Sequence, residues 1–107
     1  MIDEAKAERA LLYLEQTDAQ FADAYVMRLR TEYLWECAEA LVYQHLEGSV
    51  EDRKRGAKRA PETGEAHEKY LACVRDHEFL KAKRKRAELT FEMWRSLNAN
   101  RRQGGNI

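Results

Sequence analysis

Three histidines and two cysteines are the side chains with the clearest chemical potential, and their spacing argues against a reactive site. His45, His67 and His77 form no HExxH motif, no ExxH pair and no cluster with a cysteine, as a metal site would require. Cys37 and Cys73 lie far apart, outside any CxxC pair, in apolar helical segments without identifiable His and acid partners. We therefore expect reduced thiols, no metal, no cofactor and no enzymatic activity.

Other motifs of catalysis or nucleotide binding do not occur. The sequence contains no GxGxxG, no P-loop and no GxSxG. Glu32, Glu36 and Glu39 crowd successive helical turns, as do Glu88 and Glu92, but this pattern is typical of the charged outer face of a helix. The chemistry of this chain is therefore expected to be binding.

The strongest binding signal is a basic run. Residues 81–86 read KAKRKR, and residues 81–102 carry a net charge of +6. Because neighbouring helical residues lie about 100° apart, such a run surrounds most of a helix, and part of it must face outward. Phe79, Phe91 and Trp94 flank the run, but their spacing indicates a core role and not base stacking. The predicted nucleic-acid-binding residues are Lys81, Lys83, Arg84, Lys85, Arg86, Arg95, Arg101 and Arg102.

The charge is polarised along the chain, although the formal net charge is zero. Residues 1–48 carry −6 and residues 49–107 carry +6, with a second basic cluster of Arg53, Lys54, Arg55, Lys58 and Arg59. In one interpretation the acidic half neutralises the basic half within the fold or across a dimer, for example through Glu32, Glu36 and Glu39. In the other, the basic half meets an anionic partner, and binding weakens steeply with salt.

The elements that position these residues follow from the helix breakers. Pro61 is the one proline, and residues 1–47 and 65–103 contain neither proline nor glycine, which predicts an all-α fold with two long helices. Folded back on each other, these would form an elongated, coiled-coil-like antiparallel helical hairpin. The predicted organisation is a single domain, residues 1–107, comprising an acidic helical half (1–48), a linker (49–64), a long basic helix (65–103) and a flexible tail (104–107).

Local signals subdivide the first half. We predict a short opening helix over residues 4–15, a joint at Thr17 and Asp18 with Asp18 as the next N-cap, and a helix end at Gly48. The apolar row of the second piece is predicted to comprise Phe21, Tyr25, Leu29, Trp35, Ala38, Leu41, Val42 and His45.

The linker and the last helix carry their own start signals. Ser49 followed by Asp52 resembles a capping box, so residues 50–59 are expected to form a short polar helix. Thr63 is the expected N-cap of the last helix. Gly104 and the glycine that follows it are expected to end that helix. The predicted inner row of that helix is Tyr70, Cys73, His77, Leu80, Arg84, Ala87, Phe91 and Trp94.

His77 and Arg84 interrupt this row. We expect either a row that frays in the middle or a charged pair with an acidic residue of the opposing helix.

A hairpin also leaves apolar flanks exposed, which predicts a homodimer. The candidate interface side chains are Phe21, Tyr25, Tyr33, Trp35, Tyr43, Phe91 and Trp94.

No apolar run approaches the roughly 18 residues of a membrane span, and the first residues do not resemble a signal peptide. We therefore expect a cytoplasmic protein without membrane contact.

A resemblance extends over nearly the whole chain. It is carried by Tyr13-Leu14, Thr17-Asp18, the run 47–53 (EGSVEDR), Tyr70, the run 84–88 (RKRAE), the run 92–97 (EMWRSL) and Asn100-Arg101-Arg102. These features resemble small helical proteins of tailed bacteriophages and prophages, often encoded near recombination or replication genes. The resemblance implies a host bacterial cytoplasm and a role in assisting DNA metabolism or blocking a host system.

Two functional hypotheses follow. In the first, a phage accessory protein contacts DNA, or a DNA-bound recombination protein, through the basic face. In the second, the chain is a protein-interaction module that inhibits a host defence or nuclease complex. A third hypothesis has no external partner: the chain is a purely structural helical dimer, in which the basic run only neutralises the acidic half.

Overall fold

Three α-helices make up the fold. The computed structural model describes residues 3–105, in which α1 spans Glu4–His45, α2 spans Val50–Arg59 and α3 spans Pro61–Gly105. No strand occurs within this described range, so the predicted all-α class is confirmed. None of the three helices contains a stretch apolar enough to cross a lipid bilayer.

The chain divides into two compact units. The central unit comprises residues 22–78, which include all of α2 and the adjoining parts of α1 and α3. The terminal unit comprises residues 1–21 and 79–107, in which the beginning of α1 meets the remainder of α3.

The opening helix and the joint after it were wrong predictions, because α1 is continuous. Asp3 caps it: its carboxylate accepts a hydrogen bond from the backbone N–H three residues later at 2.8 Å. The hydroxyl of Thr17 donates to the carbonyl four residues earlier at 2.7 Å, and the carboxylate of Asp18 accepts from Arg84 at 2.7 Å. Thr17 therefore has a partner within α1 and Asp18 has one on α3, and neither side chain ends the helix.

The segment predicted as a linker contains the short helix α2, as expected. Gly48 has φ +112°, a backbone conformation that favours glycine, and α1 has already ended at His45. The Ser49 hydroxyl then accepts from the N–H of Asp52 at 3.1 Å, which is the predicted cap.

The last helix is longer at both ends than predicted. Its first residue is Pro61, whose missing N–H costs nothing at that position, and the N–H of Gly64 donates to the carbonyl of Ala60 at 3.0 Å. Thr63 is therefore a buried residue of the first turn and not the N-cap. Gly104 lies in the last turn of α3, and residues 106 and 107 of the predicted flexible tail lie outside the described range.

Two glycines predict opposite responses to alanine. Gly64→Ala is expected to raise the free energy of unfolding by about 0.5–1 kcal/mol, because a Cβ there meets nothing within 4 Å and the helix gains propensity. Gly48→Ala is expected to lower it by about 1 kcal/mol, because alanine rarely adopts φ +112°. Thermal unfolding of both variants beside the wild-type protein checks the pair, and stabilisation by Gly48→Ala would contradict the loop conformation.

In the terminal unit, the least exposed residues repeat at alternating spacings of three and four. Their row on α1 is Ala7, Ala10, Leu14, Thr17 and Phe21, and their row on α3 is Leu80, Arg84, Ala87, Phe91 and Trp94. Only Ala7 and Leu80 of these are buried apolar side chains. The apolar core of this unit is therefore thin, and polar contacts contribute to its packing.

The central unit follows the same spacing. The row on α1 is Ala24, Arg28, Thr31, Trp35, Ala38 and Val42, and the row on α3 is Thr63, Ala66, Tyr70, Cys73 and His77. The predicted inner row of α3 is confirmed, since each of its eight residues is buried or half-buried. On α1, however, Tyr25, Leu29, Leu41 and His45 were wrongly placed in the apolar row, because they face solvent.

Candidate interaction surfaces

Arg84 lies in the packed row of the terminal unit and not on the outward basic face. One terminal nitrogen donates to the carbonyl of Leu14 at 2.9 Å and to the hydroxyl of Thr17 at 2.7 Å, and the other to Asp18 at 2.7 Å. The Arg84 side chain is only 14% exposed, and its guanidinium lies 5.0 Å from the ring centre of Phe21. The expected charged pair with an acidic residue of α1 is therefore present, and Arg84 is not available to an external ligand.

The remaining cations of the predicted nucleic-acid-binding set are exposed, but two of them have acidic neighbours. Lys85 lies 3.8 Å from Glu88, and Arg95 lies 3.4 Å from Glu92. No ion pair within residues 3–105 joins this set to Glu32, Glu36 or Glu39, so that pairing is not observed. The cations without an acidic partner in the described range are Lys81, Lys83, Arg86, Arg101 and Arg102.

One row on the outer surface of α3 combines cations with an aromatic ring. Phe79, Lys83, Arg86 and Met93 are spaced so that they share one side of the helix, and all four are exposed. The Lys83 amine lies 4.7 Å from the centre of the Phe79 ring, and Phe79 is 61% exposed. The core role predicted for Phe79 was therefore wrong. We call these four residues the Phe79 row.

The second basic cluster, on α2, is partly used inside the central unit. Arg53 donates to the carbonyl of Tyr43 at 3.3 Å, and its guanidinium lies 4.2 Å above the ring centre of the same residue. Arg55 pairs with Asp52 at 3.5 Å. Arg53 therefore holds α2 against the end of α1, and the exposed members of the cluster are Lys54, Arg55, Lys58 and Arg59.

A polar cluster also interrupts the packed row of the central unit. Arg28 donates to Nδ1 of the buried His77 at 3.1 Å and to the carboxylate of Glu78 at 2.9 Å. The hydrogen bond with Glu78 raises the pKa of Arg28, and burial opposes this rise. The ring of Tyr25 lies 5.5 Å from that of His77, centre to centre. His77 is therefore a packed residue with a hydrogen-bond partner, Arg28, and a ring partner, Tyr25. These contacts give it a structural role in the central unit.

Most aromatic residues predicted for an interface pack within their own unit. Trp35 lies 4.3 Å from the ring of His67 and 5.5 Å from that of Tyr70, and Phe91 lies 6.1 Å from Trp94, all between ring centres. Phe21 and Tyr43 contact the arginines described above. Of the seven predicted interface residues, Tyr25 and Tyr33 are the two that are more than half exposed.

Sequence reasoning named Tyr33 as an interface residue and placed Leu29 in the apolar row, but it missed the second row to which both belong. Val26 and Leu29 are 47% and 48% exposed, and Tyr33 is 64% exposed. With Ala22 and Ala40 they recur at spacings of three, four and seven residues, and all lie in the central unit. The same spacing rule that revealed the inner row could have found this second row, which we call the outer row of α1.

The cysteines and acidic side chains form no metal-binding arrangement in the part of the chain that the structure describes. No three His, Cys, Asp or Glu side chains converge there. Cys37 and Cys73 are free and half-buried. A side-chain hydrogen bond with Cys37 raises the pKa of Tyr33 above its ordinary value.

No protein-family model matches the chain, and no curated protein or solved structure is significantly similar to it.

Proposed function

We propose that the protein acts by binding, as a phage-type accessory protein whose basic face on α3 contacts DNA or a DNA-bound recombination protein. The observation that carries the proposal is the Phe79 row, in which exposed Lys83 and Arg86 follow an exposed aromatic ring along one side of α3. Cations that track phosphates beside a ring on which a base can stack are the usual components of single-strand binding. Lys81, Arg101 and Arg102 add positive charge without acidic partners in the described range.

The proposed scaffold is a coiled-coil-like antiparallel helical hairpin. Contacts in the central unit support this arrangement, because they run in opposite directions along the two helices. Arg28 of α1 contacts Glu78 of α3, whereas Trp35, further along α1, contacts His67, earlier on α3. Two such hairpins form a homodimer in the proposed active species, which acts in the cytoplasm of a host bacterium.

Charge reversal of the Phe79 row tests the proposal. Lys83→Glu with Arg86→Glu is expected to abolish binding to short single-stranded DNA in a fluorescence-anisotropy titration, because two phosphate contacts become repulsive. If three to five phosphates are neutralised, wild-type affinity for single strands should fall about 20- to 130-fold between about 50 and about 200 mM salt. Phe79→Ala should weaken binding to single strands more than to duplexes.

The matched control is Lys69→Glu with Arg75→Glu, which makes the same charge change at exposed sites elsewhere on α3. This variant should keep at least half of the wild-type affinity. Absence of DNA binding by the wild-type protein at low salt, or equal losses in both double variants, would rule out the Phe79 row as a DNA-binding face.

The second candidate function is a protein-interaction module that inhibits a host defence or nuclease complex. It is favoured by exposed apolar residues on the same helix, since Leu89 and Met93 are 54% and 56% exposed. Contacts centred on such residues depend weakly on salt. Leu89→Glu should then abolish capture of a host protein, whereas the Lys83 and Arg86 reversal should reduce it only partly.

A further inference from the structure

The outer row of α1 is an exposed apolar surface of the central unit. Ala22, Val26, Leu29 and Tyr33 follow one another at spacings of four, three and four residues, so they line one side of the helix. The contacts of Arg28 and Trp35 with α3 are made from a different side of α1. No other helix of the described chain covers this row, since Val26, Leu29 and Tyr33 are 47–64% exposed.

Val26, Leu29 and Tyr33 together make a row of exposed apolar side chains on one side of α1. Adjoining exposed apolar side chains of this kind are a feature of protein–protein interaction sites.

We propose that the outer row of α1 is a two-fold interface that packs antiparallel against the outer row of a second copy of this chain. The row is complementary to itself in size. When Val26 of one copy lies opposite Leu29 of the other, the same register places Tyr33 opposite Ala22 in both directions. The large Tyr33 then meets the small Ala22 at both ends of the contact, and Val26 packs on Leu29 at its centre.

The row is also complementary to itself in charge. Asp23 and Arg30 are exposed, flank the row on the same side and take part in no ion pair with another described residue. In the register just given, Asp23 of each copy lies across from Arg30 of the other, which forms two identical pairs. In a parallel two-fold packing, equivalent flanking residues lie on opposite sides of the interface and neither pair forms, so the charges favour the antiparallel arrangement.

Glu36 interrupts the row further along α1, where it limits the contact to the stretch around Val26 and Leu29.

A charge swap tests the interface by sedimentation equilibrium over a range of protein concentrations. Asp23→Arg and Arg30→Asp, made singly, are each expected to weaken the dimer about tenfold, because both symmetry-related pairs become repulsive. The double variant carrying both changes should restore affinity to within about twofold of wild type. Leu29→Glu should leave only monomer at concentrations where the wild-type protein is dimeric.

The controls reverse charge on α3 of the same unit. Arg75 and Asp76 are exposed and lie outside the outer row. Asp76→Arg and Arg75→Asp should therefore leave the dimer affinity unchanged. Circular dichroism of every variant verifies that the helices are intact.

The inference depends on the proposed homodimer but not on DNA binding, and the outcomes separate the two. Two results would overturn this interface alone. In the first, the wild-type protein is a dimer and neither single charge reversal weakens its dimer affinity. In the second, both single reversals weaken it but the double variant does not restore it. A monomeric wild-type protein would overturn the homodimer as well, while the anisotropy titration decides DNA binding independently.

Discussion

Arg84→Ala is expected to lower the free energy of unfolding by about 2–3 kcal/mol, even though a single charge within a basic run would ordinarily be expendable. The side chain is 14% exposed and donates three hydrogen bonds of 2.7–2.9 Å to one short stretch of α1. Removing it leaves a cavity beside Phe21, the carboxylate of Asp18 without its ion-pair partner and the hydroxyl of Thr17 without its donor. Urea unfolding at a fixed protein concentration measures the effect.

Neighbouring substitutions separate this role from net charge. Arg86→Ala removes the same charge from an exposed position and should change stability by less than about 0.5 kcal/mol. Asp18→Ala should cost only about 0.5 kcal/mol, because this side chain is 67% exposed and solvent screens its pair. Equal effects of Arg84→Ala and Arg86→Ala would mean that Arg84 faces solvent, contrary to the contacts above.

Arg84 also shows how far the sequence determines the structure. Its place in the repeat of three and four residues predicted either a row that frays there or a charged pair with α1, and the pair with Asp18 is observed. Its place in the KAKRKR run predicted an outward, DNA-binding side chain, which the structure contradicts. The repeat was the better guide because it specifies direction around the helix, whereas a run of like charges does not.

The wrong predictions on α1 have a related physical cause. Apolar residues occur on several sides of this helix, so Tyr25, Leu29 and Leu41 fitted an apolar row as well as the half-buried residues did. The joint at Thr17 failed because an N-cap signal depends on whether the side chain has another partner. The predicted N-cap was Asp18, and its partner, Arg84, lies 66 residues away and could not be identified from local sequence.

Spacing can propose the outer row and the Phe79 row as candidates, but the exposure of their side chains identifies them as outward-facing. Periodicity alone gives two or more candidate rows on each long helix, and it does not say which row meets the other helix. Pairing between the helices decides this, as Trp35 illustrates: its contacts with His67 and Tyr70 fix the inner side of α1 in the central unit. Val26 and Leu29 are left exposed as a consequence.

Trp35→Ala should therefore destabilise the central unit by about 2–3 kcal/mol. The indole lies 4.3 Å from the ring of His67 and stacks on Tyr70 with 23° between the planes, so truncation removes both ring contacts. The indole is half-buried, which keeps the expected loss below that of a fully buried tryptophan. Thermal unfolding and the loss of tryptophan near-ultraviolet circular dichroism provide two readouts.

Two further variants make the result specific to ring packing. Trp35→Phe keeps an aromatic ring against His67 and should recover at least half of the lost stability. Leu71→Ala removes a large apolar side chain that is 42% exposed on α3 of the same unit, and should cost less than about 0.5 kcal/mol. If Trp35→Ala lowered the free energy of unfolding as little as Leu71→Ala, the ring cluster would not hold α1 and α3 together. The outer row of α1 would then have no fixed orientation from which to meet a second copy.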